Sequence, residues 1–186
     1  FSKGENKAPA YLQFNPRGKV PTLKDGDFVI YESLAIMSYL DRKYPDPPLF
    51  GETPEETGMI WRTLAECESY LVSAGDKVVR PIFFGKGLDK VAEIEQAAQT
   101  LRHELKKIDE RLAASHWLVG DKISAADIGV FPLVQLLLRA ASKEAAQPFH
   151  LGLLPLEQTF ANVASWVQRI EALPNYQRTY PPHWRK

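Results

Sequence analysis

From about Pro54 to Phe83, the apolar residues Ile60, Leu64, Cys67, Leu71, Ala74 and Val78 recur in steps of four and three. That is the spacing of an amphipathic α-helix. The pattern predicts one long helix, bent near Gly75 and ended or kinked at Pro81, whose ring removes a backbone donor. From about Leu88 to Ala114 the rhythm returns in Val91, Ile94, Ala98, Leu101, Leu105, Ile108 and Leu112. Gly85 and Gly87 lie between the two stretches, so the helices are expected to pack antiparallel, as in a bundle. Trp117 to Ile123 reads as a turn leading into Ser124-Ala125-Ala126-Asp127. Ser with an acidic residue three positions on is a capping box, here with Asp for the commoner Glu, and Ile123 and Ile128 would form its apolar staple. This helix should run to about Ala141. A loop near 148–155, a helix from about Leu156 to Leu173 with Val163, Trp166, Val167 and Ile170 inward, a short helix after Pro174 and an extended tail complete the prediction.

The first 44 residues follow a different rhythm. After a loop around Gly4 to Pro9 and a short helical turn through Ala10-Tyr11-Leu12, two runs of β-formers, Pro21-Thr22-Leu23 and Phe28-Val29-Ile30, flank Lys24-Asp25-Gly26-Asp27. Asp25-Gly26 supplies the positive-φ residues of a tight hairpin turn. Pro21 has no N–H for a ladder and belongs at the start of a strand or on an edge, and it pushes Val20 into extended geometry. The Val20 backbone is then available to a ligand with peptide groups of its own. Pro21 opening an ordinary edge strand would account for the same residues. Beyond the hairpin, Leu34, Met37, Leu40 and Tyr44 fall at helical spacing, and a helix from Ser33 to Lys43 follows. Its N-terminus, with free N–H groups and the Ser33 hydroxyl, is suited to an anion, and Glu32 to an ammonium group. The alternative is that Ser33 caps its own helix while Glu32 is solvated.

The ten residues from Pro45 to Pro54 include four prolines and a glycine, too many for a helix or a central strand. The expected division is a partial α/β domain over residues 1–46, a linker over 47–54 and an all-α domain over 55–186.

Composition adds mainly exclusions. The 186 residues are 45% hydrophobic and 25% charged with a net charge of zero, enough for a sizeable core and without the basic excess that recruits nucleic acid or anionic membrane. No apolar run approaches the roughly 20 residues of a membrane span. A single cysteine, Cys67, rules out an internal disulfide and suits a reducing compartment such as the cytoplasm. Its place on an apolar face makes it a core residue. The histidines 103, 116, 150 and 183 are dispersed and predict no metal site, and no glycine-rich phosphate loop is present.

The combination Asn15-Pro16-x-Gly18-Lys19-Val20-Pro21-x-Leu23, a short hairpin, then Glu32-Ser33-x-Ala35-Ile36-x-x-Tyr39-Leu40 ending in Tyr44-Pro45 resembles the glutathione-binding half of cytosolic glutathione transferases of the bacterial type. The resemblance covers nearly all of residues 9–50. It implies an α-rich, two-domain fold: a thioredoxin-like α/β domain followed by an all-α helical bundle. A domain of that type would begin with a further strand, helix and strand before Phe1, so the domain is expected to be incomplete here. The resemblance also implies glutathione as co-substrate, paired along Val20 and Pro21, with its γ-glutamyl carboxylate at Ser33, Glu32 near the γ-glutamyl end and Lys19 at the glycyl carboxylate. A small hydrophobic electrophile would be the second substrate, with Trp61, Tyr70 and Arg80 as candidate pocket residues, and the protein would be a homodimer. Met59, Trp61 and Arg62 lie off the apolar stripe and could serve such an interface. In the family the thiolate-stabilising Ser, Tyr or Cys lies near the end of the first strand or the start of the first helix, which this sequence does not contain, so no catalytic residue is named. The Ser124-x-x-Asp127 box also resembles a structural signature of the family. The competing function is a non-catalytic domain of the same fold, used for dimerisation or scaffolding.

Overall fold

The computed structural model describes residues 4–85 and 87–184. The chain divides into two compact units, Phe1–Glu52 and Thr53–Lys186.

In the first unit a single 3-10 turn, Glu5–Lys7, precedes α1 (Pro9–Leu12), the strands β1 (Thr22–Asp25) and β2 (Phe28–Tyr31), and α2 (Ser33–Lys43). The strands pair antiparallel with Thr22 opposite Tyr31 and Asp25 opposite Phe28. The loop is therefore Gly26-Asp27, one residue later than the Asp25-Gly26 the sequence suggests, and Gly26 alone takes positive φ, at 60°. A glycine at the first central position is what a two-residue turn with one left-handed residue requires. Asp25 is free to act as the last strand residue, and its carboxylate ties the hairpin to α2. Tyr39 donates to Asp25 at 2.7 Å, Lys43 is ion-paired with it, and the Phe28 and Tyr39 rings lie 4.9 Å apart. The Lys43 contact, with help from Tyr39, holds the Asp25 carboxyl below its ordinary range. α2 buries none of its residues, so polar ties carry much of the order in this unit. Asp41, near the end of α2, accepts from the Leu49 backbone at 2.6 Å and anchors the proline-rich stretch that follows.

The second unit is helical: α3 (Pro54–Glu66), α4 (Ser73–Phe84), α5 (Val91–Ala114), α6 (Ala125–Ala141), α7 (Leu156–Thr159), α8 (Ala161–Glu171) and α9 (Tyr176–Thr179). α3 starts where the Thr53 side chain accepts from Glu56 N–H and Pro54 occupies the first turn, both standard entry devices. The expected bend at Gly75 is replaced by a π-helical segment, Cys67–Val72, linking α3 to α4. A π turn interrupts the i→i−4 ladder and is one of the few causes of a real helix distortion. Gly75 has a different duty: a Cβ there would sit 3.4 Å from Leu133 and 3.5 Å from Leu137, so its small size lets α4 lie close to α6. Pro81 is held inside α4, which runs on to Phe84 and stops at Gly85, left-handed at φ 64°.

α4 packs on α5 and α6, α5 on α8, and α3 on α6. Ile60, Leu64, Val78, Ile94, Leu101, Leu105, Val130, Val134, Leu137, Val163 and Trp166 are fully buried between them. Two carboxylates pin this bundle across long sequence separations. Asp127, 0% exposed, completes the capping box with Ser124 and also accepts from Leu118 N–H at 2.9 Å and Trp166 Nε1–H at 2.9 Å. Asp109 accepts from the backbones of Asn162 at 2.8 Å and Val163 at 3.0 Å, capping α8 from a different helix. The one helix expected over Leu156–Leu173 is thereby two, α7 and α8, broken at Phe160, whose φ of −142° and ψ of 73° are not helical. The tail is not extended as expected. It closes in a 3-10 turn, Pro182–Trp184, with the Arg139 guanidinium stacked between the Phe83 and Trp184 rings at 4.9 Å from each. No helix among the described residues is long and apolar enough to cross a membrane.

Candidate functional site

The hairpin register places the site. Because Thr22 faces Tyr31, the residues just before β1 and just after β2 flank the same open end of the ladder. Lys19, Val20 and Pro21 lie on one side, Glu32 and Ser33 on the other. Arg17 Nε approaches Glu32 Oε1 to 4.0 Å across that end.

The loop before β1 is shaped by polar side chains rather than by a core. Asn15, only 2% exposed, donates its side-chain N–H₂ to the Lys19 carbonyl at 2.9 Å and to Thr22 Oγ1 at 3.1 Å, and its side-chain Oδ1 accepts from Arg17 N–H at 3.0 Å. The Tyr11 hydroxyl donates to the same Lys19 carbonyl at 2.6 Å and lies 2.8 Å from Thr22 Oγ1. Asn6 donates to the Gly18 carbonyl at 2.7 Å. Gly18 is left-handed, and a Cβ on it would come within 2.9 Å of Asn6 and 2.8 Å of Lys7, so only glycine fits. The result is a fixed lead into Val20-Pro21, whose peptide bond is cis. Val20 is 49% exposed, and among the described residues its backbone N–H and C=O take no partner. They are an open strand edge.

Opposite, the N-terminus of α2 is uncapped. Ser33 is the first helical residue rather than the cap, and Glu32, which stands at the cap position, makes no side-chain capping bond. The first backbone bond of the helix runs from Ile36 N–H to the Glu32 carbonyl, so the N–H groups of the first turn, together with the exposed Ser33 hydroxyl, face outward with the positive end of the helix dipole. Glu32 holds φ 73° and ψ 122°, a conformation that costs a non-glycine residue about 1–3 kcal/mol. The chain accepts this where β2 must turn sharply into α2.

The candidate pocket residues on the helical unit are not gathered. Trp61 is on α3, Tyr70 in the π segment and Arg80 on α4. Tyr70 lines a cleft of about 270 Å³ with Lys77, Glu93 and Gln96, in which Trp61 and Arg80 take no part. Arg80 pairs with Asp76 one turn away at 3.2 Å. Cys67 is buried, and that burial, with the Glu68 charge beside it, pushes its thiol up to about 12, so it is a packing residue and no nucleophile.

Sequence reasoning passed over Asn15, Tyr11 and Arg17 as working parts of the loop. An Asn immediately before Pro, three residues ahead of a Gly, is a signal for a side chain that organises a turn. Nothing in the sequence marks Arg17.

A hairpin-and-helix unit with an open cis-proline edge, followed by an all-helical unit, defines the class of two-domain proteins built on a thioredoxin-like N-terminal half. Residues 2–48 match the family model "Glutathione S-transferase, N-terminal domain" and residues 76–174 match "Glutathione S-transferase, C-terminal domain". Glutathione S-transferase F10 of Arabidopsis thaliana is 35% identical over 148 residues, which is 76% of this chain and 68% of that protein. Among solved structures, a glutathione S-transferase from the Antarctic clam Laternula elliptica superposes with a TM-score of 0.83 at 27% identity, covering 100% of this chain and 80% of that one. A glutathione S-transferase-I bound with the ligand lactoylglutathione gives 0.76 at 25% identity, covering 96% and 81%. The chain belongs to the glutathione S-transferase family.

Proposed function

We propose that the first unit binds glutathione at the open end of its hairpin and that the protein, as a glutathione transferase, uses the bound thiolate to attack a small hydrophobic electrophile. The observation that carries this is the uncapped, strained entry to α2 standing beside the unpaired Val20 edge. A helix end without a cap is an unmet demand for an acceptor, and a peptide carboxylate meets it. In this reading the γ-glutamyl carboxylate takes the Ser33 hydroxyl and the first-turn N–H groups. The γ-glutamyl ammonium takes Glu32, the cysteinyl backbone pairs with Val20 ahead of Pro21, and the glycyl carboxylate takes Lys19. Each charge-assisted bond is worth about 1.5–3 kcal/mol. The chemistry needs the thiolate: lowering a thiol from about 8.5 to about 6.5 takes roughly 2.7 kcal/mol of preferential stabilisation. Resemblance to relatives named as glutathione transferases supports a cytoplasmic homodimer, with Met59, Trp61 and Arg62 on the exposed face of α3 as interface residues and Trp61, Tyr70 and Arg80 as candidate contacts for the electrophile.

The test is retention on immobilised glutathione. Ser33→Ala, with an unchanged circular dichroism spectrum, should weaken retention by about 10- to 100-fold, the worth of one charge-assisted bond. Equal retention by the wild type, Ser33→Ala and Glu32→Ala would refute the site. Binding without turnover of an activated aryl halide would favour the non-catalytic role over the transferase.

A further inference from the structure

Lys19 and Thr22 flank the Val20-Pro21 edge, and the same two side chains hold both of them. Asn15 and Tyr11 each reach the Lys19 carbonyl, at 2.9 and 2.6 Å, and Thr22 Oγ1, at 3.1 and 2.8 Å. These four groups close a circuit of hydrogen bonds at the two ends of the dipeptide. Val20 itself is exposed, its backbone takes no partner among the described residues, and Pro21 has no N–H to give. The edge therefore inherits its position from its flanks.

The circuit has only one arrangement of its hydrogens. Arg17 N–H can only donate, and it gives its hydrogen to Asn15 Oδ1. That fixes the amide with its N–H₂ toward Lys19 and Thr22, where it can only donate. The Lys19 carbonyl can only accept, so the Tyr11 hydrogen goes to it. Thr22 Oγ1 already accepts from Asn15, and the hydrogen between Thr22 and Tyr11 must come from Thr22. Every donor on the path from Asn15 through Thr22 and Tyr11 to Lys19 is thus used, and bonds arranged head to tail in this way strengthen one another. Thr22 also stands opposite Tyr31 in the ladder, and Tyr31 leads directly into Glu32 and Ser33. The circuit ties the Val20 edge to the opposite wall of the site.

We propose that Tyr11 and Thr22 are positioning residues for the peptide ligand: their hydroxyls hold the Val20 N–H and C=O at the place where a bound cysteinyl backbone pairs with them, and they act through Lys19 and the strand rather than on the ligand. This rests on the glutathione-binding reading above. It assigns the affinity of that site in part to two side chains that face away from it.

The test is calorimetric titration of the full chain with glutathione and with a depsipeptide analogue in which an ester oxygen replaces the cysteinyl N–H, so that the Val20 carbonyl receives no bond. Tyr11→Phe and Thr22→Val, each with an unchanged melting temperature, should weaken glutathione by about three- to tenfold, the worth of one neutral hydrogen bond. The analogue, which uses the edge less, should lose under about twofold in the same variants. A general loosening of the unit would weaken both ligands equally. Thr22→Ser, which keeps the hydroxyl, should bind glutathione as the wild type does. The double variant Tyr11→Phe/Thr22→Val should fall within about twofold of the weaker single one, because either change opens the circuit. Unchanged glutathione affinity in both single variants, equal losses for the two ligands, a double variant showing the product of the single losses, or Thr22→Ser as weak as Thr22→Val would overturn the proposal. Binding that falls in Ser33→Ala but not in Tyr11→Phe or Thr22→Val sinks this proposal alone, whereas a wild type that binds neither ligand sinks the glutathione site with it.

Discussion

Asp127→Ala removes a carboxylate that is 0% exposed and accepts four hydrogen bonds, from Leu118 N–H, Ser124 N–H, the Ser124 hydroxyl and Trp166 Nε1–H, all between 2.9 and 3.0 Å. The alanine methyl leaves three of these donors, the two backbone N–H groups and the indole, without a partner in a dry site. A buried donor so stranded costs about 1–3 kcal/mol, and the relief of no longer burying a charge offsets part of the sum. The net loss should be about 4–6 kcal/mol, a large share of the 5–15 kcal/mol that holds a typical domain together. At roughly 2–4 °C per kcal/mol for a chain of this size, the melting temperature should fall by about 10–20 °C. Far-ultraviolet circular dichroism follows the helices, and the near-ultraviolet signal follows the packing of Trp166. Asp127→Asn, which keeps one acceptor toward Leu118 and Trp166 but turns an amide N–H₂ toward Ser124, should fall between alanine and wild type. A melting temperature for Asp127→Ala within about 3 °C of wild type would show that these bonds do not hold the bundle and would refute the reasoning.

Asn15→Ala should release the Lys19 carbonyl, Thr22 and the Arg17 N–H together, loosening the lead into Val20, so that glutathione retention falls by about tenfold or more while the melting of the helical unit stays unchanged. Equal retention by this variant would mean that Tyr11 alone shapes the loop. The Cys67 thiol, pushed up to about 12, stays protonated at neutral pH. Its reaction with a disulfide reagent should therefore be negligible in the native protein, should not accelerate between about pH 7 and 9 as an ordinary thiol near 8.5 does, and should become complete on unfolding. Rapid native-state labelling would contradict its burial.

The elements most legible in the sequence were those whose signals are local. The α2 boundaries follow from Ser33 and the spacing of Leu34, Met37 and Leu40, and the capping box announces itself in four residues. The hairpin was legible to within one residue, because Asp-Gly and Gly-Asp turns share the same composition and only the register separates them. The π segment left no trace, since Cys67, Leu71 and Ala74 keep the four-and-three rhythm straight through it. The break at Phe160 was invisible for another reason: its cause, Asp109, lies 53 residues away from Asn162. At the candidate site, the adjacency of residues 19–21 to residues 32–33 is implied by any tight hairpin between them. The inward role of Asn15 and the approach of Arg17 to Glu32 depend on how the loop folds back, which no local pattern encodes.

Asp127 also orders events in time. Its two remote donors arrive from opposite directions along the chain, Leu118 shortly before it and Trp166 well after. While the chain is being synthesised from its N-terminus, the Asp127 carboxylate, the Phe131 ring and the apolar face of α5 on which α8 packs wait without their partner until residue 166 is made, and Asp109 waits likewise for residues 162 and 163. The helical unit is therefore sealed late. A ribosome stalled ahead of Trp166 would carry an open, adhesive bundle, the form on which chaperones and aggregation compete.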